Sequence, residues 1–331
     1  MAAGTSGGLL DDLHAQSVFK HEILRQYMAP FIAMPGSTAE GNQVVVLDGF
    51  AGRGRYQDGS PGSAELILQA IQAFRGSRNV TGFFVEKDPA LYPSLQGVVE
   101  EYVETGVRSQ AFLGAVEDHL NIVIRQAVSS PLFLFLDPCG AGLPFRRLVD
   151  VLVGPRQATR PQTEVLLNFS ADLSRRAAGA LKKNQLDHPI IGRMDTACGG
   201  DWWRSMALEA LRHSVKGNFE PVTHVIAAEY AQRLAAASSM LPVVVSVRRR
   251  LHHQPIYHLV FLTRSPYGLW VFADASGKAR QVYLRALGKL DDDDETGDML
   301  FTPTDSMEWL IDGEKDKALK IVTANIRALV Q

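Results

Sequence analysis

A glycine-rich segment after the first apolar run of the chain is the strongest candidate for a ligand site. It reads VVVLDGFAGRGRYQDGSPGS over residues 44–63, with Asp48 closing the apolar run. Gly52 and Gly54 let the backbone approach a ligand closely and take positive φ. A pyrophosphate site places a helix directly after its glycines, whereas the next predicted helix starts only at Ser63. The G-x-x-x-x-G-K-[ST] pattern of a phosphate-binding loop is also missing.

This layout suits a zwitterionic cofactor with a ribose and a methionyl tail, namely S-adenosylmethionine (SAM). We expect Asp48 to accept from its α-amino group, directly or through water. Glu86 ends the second apolar run, where an acidic residue commonly accepts from the ribose hydroxyls. After the third run, Glu117 or Asp118 is a candidate for the adenine amine, although any helix favours acids in its first turn. The predicted cofactor-binding residues are Asp48, Gly49, Phe50, Ala51, Gly52, Gly54, Glu86 and Glu117. The alternative is a glycine-rich turn without a ligand.

A second informative segment, LFLFLDPCGAGLPF, covers residues 132–145. In amino-methyltransferases, a [D/N/S]-P-P-[Y/F/W] tetrad at such a strand end accepts both hydrogens of an exocyclic amine and stacks on the base. Asp137 and Pro138 are therefore the predicted catalytic pair, since alignment of a nucleophile supplies much of the rate. The sequence D-P-C-G with the following Pro-Phe resembles the D-P-F-G segment of tRNA guanine dimethyltransferases.

The D-P-C-G segment lacks the aromatic residue of the tetrad, so the stacking platform must come from elsewhere. Tyr56, Phe145 and Phe169 are the candidates, and a core position is the alternative for each. Cys139 is more simply a small, partly buried residue than a nucleophile. Basic pairs or triplets occur at 146–147, 175–176, 182–183 and 248–250. The first two follow the fourth and fifth strands and predict a phosphate-binding rim, with Arg146 in the substrate site, and solvated helix faces are the alternative.

Composition narrows the functional classes. The chain has 331 residues with a formal net charge of -2, so it has no global basic field that would indicate nucleic-acid binding. Its two cysteines are far apart and belong to no Cys/His cluster. We therefore expect neither a disulfide framework nor a structural metal, and a cytoplasmic protein. A signal peptide and a membrane span are not expected either.

The order of apolar runs predicts an α/β fold. Five apolar runs alternate with helical patterns, which favours a parallel, doubly wound sheet. The runs PVVVSVRRRL and IYHLVFLTR flank a short HHQP segment and predict an antiparallel hairpin. This is the outline of the Rossmann-like sheet of class I SAM-dependent methyltransferases. The predicted strands cover 44–48, 80–88, 109–115, 132–137 and 163–169, and the predicted helices between them begin at 64, 89, 116 and 144.

We divide the chain into three parts. Residues 1–40 form an N-terminal tail and a helix over about 14–33. Residues 41–275 form the α/β domain with a helical insertion at about 170–221, which contains a loop over 187–201. Residues 276–331 hold an acidic loop at 291–298 and a C-terminal helix. Ser63 is the expected N-cap of the first helix inside the domain.

Seven segments in order resemble the three-Cys-motif partner (TcmP) proteins, which are methyltransferase-like. They are KHEILRQYMAPF (20–31), LDGFAGRGRYQDGSPGSAEL (47–66), FFVEKD (83–88), LFLFLDPCGAGLPF (132–145), EVLLNFS (164–170), DWW (201–203) and YHLVFLTRSPYG (257–268). The resemblance carries over to Asp48, Phe50, Ala51, Gly52, Gly54, Ser60, Pro61, Glu86, Asp137, Pro138 and Gly140. It implies a class I methyltransferase fold and a three-cysteine partner of the radical-SAM type.

Two functional hypotheses follow. The first is a SAM-dependent methyltransferase acting on an exocyclic amine or a similar nucleophile of a nucleic acid. The second is a non-catalytic subunit that binds SAM or nucleic acid for a radical-SAM-type partner, which the missing aromatic after Asp-Pro favours. A nucleotide-dependent oxidoreductase is a third interpretation, and the hairpin and the long first loop argue against it.

Overall fold

One mixed sheet organises the part of the chain that the computed structural model describes, which is residues 15–138, 140, 142–294 and 303–330. Its seven strands lie in the order β3-β2-β1-β4-β5-β7-β6. The strands are β1 (Gln43–Asp48), β2 (Asn79–Glu86), β3 (Arg108–Leu113), β4 (Leu132–Leu136), β5 (Thr163–Ser170), β6 (Leu241–Val247) and β7 (Tyr257–Thr263).

The first five strands are parallel, and β7 pairs antiparallel with both β5 and β6. Strand order reverses between β1 and β4, so the carboxyl ends of these two strands form the switch point where α/β folds bind ligands. This topology confirms the predicted Rossmann-like class I methyltransferase sheet with its closing hairpin.

Helices cover both faces of the sheet, as continuous apolar strands such as β4 require. One face packs against α1, α2, α3 and α10, and the other mainly against α4, α5, α6 and α9. The helices are α1 (Ala15–Thr38), α2 (Ser63–Ala73), α3 (Tyr92–Glu104), α4 (Val116–Gln126), α5 (Phe145–Val153), α6 (Ala171–Lys182), α7 (Pro189–Cys198), α8 (Trp203–Arg212), α9 (Glu220–Ser238), α10 (Pro266–Asp294) and α11 (Pro303–Val330).

The helix α1 runs antiparallel to β5 across one face of the sheet. Near its start, Lys20 pairs with Asp137 beyond the carboxyl end of β4. Further along, the Tyr27 hydroxyl donates to Glu164 near the amino end of β5. Because α1 reaches both edges of the sheet, it contributes side chains to the switch point as well as to the core.

Four local predictions differ from the structure. The helix α1 continues through Pro35 to Thr38, and a Cβ at Gly36 would come within 2.8 Å of Val44. The insertion is helical as predicted, but the expected loop at 187–201 contains the helix α7. The prediction of an acidic loop is wrong for residues 291–294, because they form the end of α10. Residues 295–298 lie outside the described residues.

Ser63 is the fourth difference. Gly62 is the N-cap of α2, and the Ser63 hydroxyl donates to Asp48 Oδ2 at 2.6 Å instead of capping the helix. The Ser63 hydroxyl therefore binds the carboxylate at the end of β1.

The predicted boundary at 275/276 falls inside α10, and the tail over 1–12 lies outside the described residues.

Candidate cofactor and active site

Backbone hydrogen bonds to two neighbouring strands fix the loop after β1. Gly49 N–H donates to Phe135 O, and Ala51 N–H donates to Val85 O, each at 2.9 Å. Further on, Gly62 N–H donates to Gly54 O at 3.0 Å and closes the loop before α2. The first turn of the loop is thus held in place at the switch point by β4 and β2.

The glycines of this loop have different structural roles. A Cβ at Gly49 would come within 2.8 Å of Leu136, and one at Gly62 within 2.7 Å of the Gly54 carbonyl oxygen. Gly54 has φ of +80° and packs against Leu95 and Val98 of α3. Gly52, with φ of +61°, would meet nothing within 4 Å. Packing therefore explains Gly49, Gly54 and Gly62, whereas Gly52 and Gly59 border open space.

Asp48 is the most deeply buried of the predicted cofactor ligands. It has no exposed surface, and it accepts hydrogen bonds from the Ser63 hydroxyl and, at 3.1 Å, from Phe50 N–H. Burial raises its pKa to about 7, the two hydrogen bonds oppose this, and the charges of Asp137 and Glu86 add to the rise. A neighbouring cation would favour the ionised form.

Glu86 supports the backbone of the first loop. Its Oε2 accepts from Gly52 N–H at 2.9 Å, and its Oε1 accepts from Asp88 N–H at 2.7 Å. Each carboxylate oxygen has a second lone pair, so the side chain retains accepting capacity. The glutamate therefore joins β2 to Gly52, which borders open space.

The other predicted cofactor residues lie around this loop. Glu117 is half-buried in the first turn of α4, beyond β3. Phe50 packs against the hydrophobic core on one face of the sheet, and Ala51 is buried in the core on the other. Those two side chains anchor the loop, which leaves its backbone for any ligand contact.

Asp137 is held by two residues that sequence analysis missed. Asn168 Nδ2 donates to its Oδ1 at 2.8 Å, and the Lys20 ammonium forms an ion pair with its Oδ2. Side-chain exposure is 20% for Asp137 and 11% for Lys20. Asn168 lies on β5 next to β4, whereas Lys20 is 117 residues away and reaches the site on α1.

An aromatic and histidine cluster surrounds this ion pair. Lys20 Nζ lies 5.1 Å from the ring centroid of the buried Tyr257, and the His21 ring lies 5.8 Å from that of Tyr56. Burial is the main reason why the pKa of His21 falls to about 3, and Lys20 lowers it further, so the ring is neutral. Tyr56 thus lies beside His21, which follows Lys20 on α1, and its substrate-binding role stays a prediction.

The remaining stacking candidates are more core-like. Phe169 is buried, and its ring centroid lies 4.6 Å from that of Tyr230. Phe145 is half-buried between Tyr230, at 5.7 Å, and Gly199. Arg146 is exposed at the start of α5. Pro138 is buried after β4, and Cys139 lies outside the described residues.

Two sequence signals pointed weakly to the missed residues. KHEILRQYMAPF is part of the family resemblance, and it contains Lys20 and His21, but an amphipathic helix explains the same segment. EVLLNFS places the polar Asn168 inside an otherwise apolar strand. Neither pattern indicates that the two residues meet at Asp137, because that depends on how α1 packs across the sheet.

Among the described ranges, no group of three or more His, Cys, Asp or Glu side chains is arranged to hold a metal ion. In that same part of the chain, every helix is too short or too polar to cross a membrane.

Comparison with known proteins gives weak structural similarities. No family model and no curated protein matches the chain. The cofactor-bound Rv0187 from MTB is 11% identical with a TM-score of 0.35, over 72% of this chain and 80% of that one. The methyltransferase domain of bacterial CtHen1-CN is 12% identical with a TM-score of 0.34, over 73% and 98%. P. horikoshii TYW2 in complex with MeSAdo is 13% identical with a TM-score of 0.28, over 71% and 62%. The fold assignment rests on the strand order of the sheet.

The residues at the switch point fit a cationic, ribose-containing cofactor. Three carboxylates end neighbouring strands here, Asp48, Glu86 and Asp137. The charges of Asp137 and Glu86 lie close enough to Asp48 to raise its pKa. Open space borders Gly52 beside Glu86. Buried Asn168 Oδ1 and His21 Nδ1 make no hydrogen bond within the described part of the chain. A positive ligand at this edge would relieve the repulsion among the carboxylates.

Proposed function

We propose that the protein is a SAM-dependent methyltransferase whose acceptor is an exocyclic amine or a similar nucleophile of a nucleic acid. The observation that carries the proposal is the convergence of Asp48, Glu86 and Asp137 at the carboxyl ends of β1, β2 and β4. These three positions lie on both sides of the switch point. Asp48 and Glu86 face the glycine-rich loop, and Asp137 lies toward β5, so cofactor and acceptor have separate carboxylates.

The cofactor would be held by the loop after β1. When bound, SAM supplies an electrophilic methyl group on a sulfonium sulfur. Asp48 has no exposed surface, so its negative charge would stabilise the α-ammonium group from beneath the loop, and Glu86 would accept from the ribose hydroxyls. The backbone around Gly52 would approach the ligand, and the half-buried Glu117 would accept from the adenine amine.

Asp137 and Pro138 would orient the acceptor. The carboxylate and the proline carbonyl accept the two hydrogens of an amine, which directs its nitrogen lone pair at the methyl group. The Asp137 carboxylate would stabilise the positive charge that develops on the amine nitrogen, until the nitrogen releases a proton to solvent water. Lys20 and Asn168 are positioning residues, because they hold the carboxylate in one orientation. Tyr56, whose ring lies 5.8 Å from that of His21, would stack on the acceptor base, and Phe145 and Arg146 would be further substrate contacts.

Calorimetric titration of S-adenosylhomocysteine tests the cofactor assignment. We expect a dissociation constant around micromolar, about -8 kcal/mol. Glu86→Gln keeps one acceptor oxygen for the loop and should weaken binding, and the exposed Glu100→Gln on α3 is the matched control. Absence of heat and of a thermal shift at high ligand concentration would contradict the proposal.

Methyl transfer to RNA or DNA, followed with labelled SAM, tests the role of Asp137. Asp137→Ala should abolish transfer and leave S-adenosylhomocysteine affinity within about twofold, because its carboxylate orients the acceptor. Parallel loss of binding and transfer would contradict the assigned role.

The ion pair between Lys20 and Asp137 favours a second candidate function. The ammonium engages the carboxylate that would otherwise orient an acceptor. A subunit that binds SAM or nucleic acid for a three-cysteine, radical-SAM-type partner needs no free acceptor site, and the resemblance to three-Cys-motif partner proteins supports such a role. Tight S-adenosylhomocysteine binding without transfer to any nucleic acid tested would favour it, and transfer by the protein alone would exclude it.

A further inference from the structure

The turn between β6 and β7 lies at the same edge of the sheet as the candidate active site. Tyr257, the first residue of β7, pairs with Ser170 at the carboxyl end of β5, and Val247 pairs with Tyr257 from the other side. Residues 248–256 therefore project beyond the carboxyl edge. Tyr257 also contacts Lys20, which pairs with Asp137, so two side chains separate this turn from the predicted acceptor position.

The turn is strongly basic. Its sequence is RRRLHHQPI, with three arginines, two histidines and no acidic residue, in a protein of net charge -2. Arg249, His252 and His253 are exposed. Arg249 makes no hydrogen bond or ion pair with any other described residue. An exposed arginine without a protein partner is available to bind an external anion.

Several hydrogen bonds hold the turn in one conformation. Arg248 pairs with Glu220 and donates to His253 O at 2.7 Å. Gln254 exchanges hydrogen bonds with Phe219 N–H and Gly217 O. Because both its start and its end are tied to other elements, the turn presents Arg249 with little ordering cost on binding.

The candidate site and the surface beyond it carry charges of opposite sign. We call the site at the ends of β1, β2 and β4 the inside of the carboxyl edge, and the surface beyond it the outside. Inside lie the carboxylates of Asp48, Glu86 and Asp137, which suit a cationic cofactor. The outside is basic, because it holds the β6–β7 turn (residues 248–256) and the exposed Arg146 on α5. It also holds the Arg175 guanidinium, which donates to Pro255 O at 2.9 Å. A polyanion would be repelled by the inner carboxylates and held by the outer cations.

We propose that the β6–β7 turn, residues 248–256, binds the phosphates of a single-stranded nucleic acid next to the nucleotide that enters the site. The choice of ligand rests on the proposed function. Asp137 is recessed, with 20% of its side chain exposed, so a base must leave any stack to reach it. Contacts from the turn to the phosphates would position the nucleic acid without recognising its sequence.

The test is fluorescence anisotropy of the full-length protein with a labelled single-stranded RNA of about 20 nucleotides, a length that spans several phosphate contacts. Arg249→Glu is the variant. The matched control is Arg125→Glu, an exposed arginine near the end of α4, at the opposite edge of the sheet. Thermal melting of both variants checks that they are folded.

We expect Arg249→Glu to weaken binding about tenfold and to reduce the salt dependence by roughly one phosphate contact. Arg125→Glu should bind within about twofold of the wild type. Equal affinities for both variants, or the absence of RNA binding at low salt, would overturn the proposal. An Arg249→Glu protein that does not fold would be replaced by Arg249→Ala, for which a smaller loss in the same direction is expected.

Failure of this proposal is distinguishable from failure of the proposed function. RNA binding is measured without SAM, whereas the cofactor assignment depends on S-adenosylhomocysteine binding. Cofactor binding without RNA binding would overturn the role of the turn alone. RNA binding through Arg249 without cofactor binding would overturn the methyltransferase assignment alone.

Discussion

At the amino edge of the sheet, Glu164 is 2% exposed and accepts hydrogen bonds from Tyr27, Thr263 and Gln162. At the carboxyl edge, Asp137 is held by Lys20 and Asn168 and keeps 20% of its side chain exposed. The helix α1 contributes a partner to each carboxylate.

The difference is in how completely the polar groups are satisfied. Three donors from the protein surround Glu164, so a ligand would find little capacity there, and burial raises its pKa. Around Asp137, the buried atoms Asn168 Oδ1 and His21 Nδ1 make no hydrogen bond within the described residues. A satisfied buried cluster stabilises the fold, and an incompletely satisfied one is suited to binding.

Glu164→Leu should have the largest effect on stability. Leucine removes the carboxylate that accepts from Tyr27, Thr263 and Gln162 and leaves them only longer or weaker contacts, which costs about 3 kcal/mol or more. The free energy of unfolding from denaturant titration measures this, and Glu164→Gln, which keeps one acceptor oxygen, should lose less. A loss below about 1 kcal/mol would mean that the cluster is not a stabilising one.

Asp48 should make stability at the carboxyl edge depend on pH. Its folded pKa of about 7 lies above the ordinary value, so its contribution is present at low pH and lost as pH rises through about 7. Relative to Asp48→Asn, the wild type should gain about 1.4 kcal/mol between pH 8 and pH 6.

The measurement is the difference between the unfolding free energies of wild type and Asp48→Asn at each pH. His21 and His258 have pKa values lowered to about 3, mainly by burial, so acid destabilises the fold through them. Both proteins contain these histidines, and the difference therefore isolates Asp48. A flat difference between pH 6 and pH 8 would contradict the prediction.

Lys20→Met should have the smallest effect on stability, about 1 kcal/mol, because the Asp137 carboxylate left without the ammonium is 20% exposed to water and still accepts from Asn168. The affinity for S-adenosylhomocysteine should change less than about twofold, since Lys20 lies on the acceptor side. Denaturant titration and calorimetry give both values. A stability loss as large as that of Glu164→Leu would remove the contrast between the two edges.

The central elements of the fold were predictable from local patterns. Apolar runs such as LFLFL and TEVLLNF specified the strands, and a short polar gap between two runs specified the hairpin. Local signals failed at Pro35, where the helix continues, and at 291–294, where a run of aspartates lies in α10 rather than in a loop. Packing against other elements overrides propensity at such positions.

The sequence by itself determined which carboxylates end the strands, because Asp48, Glu86 and Asp137 follow apolar runs whose period is set by burial. Only the tertiary structure decided that Lys20 reaches Asp137, that Gly52 borders open space beside Glu86, and that the β6–β7 turn lies at the same edge of the sheet. Periodicity is a property of neighbouring residues, whereas contacts across 117 positions depend on how α1 crosses the sheet.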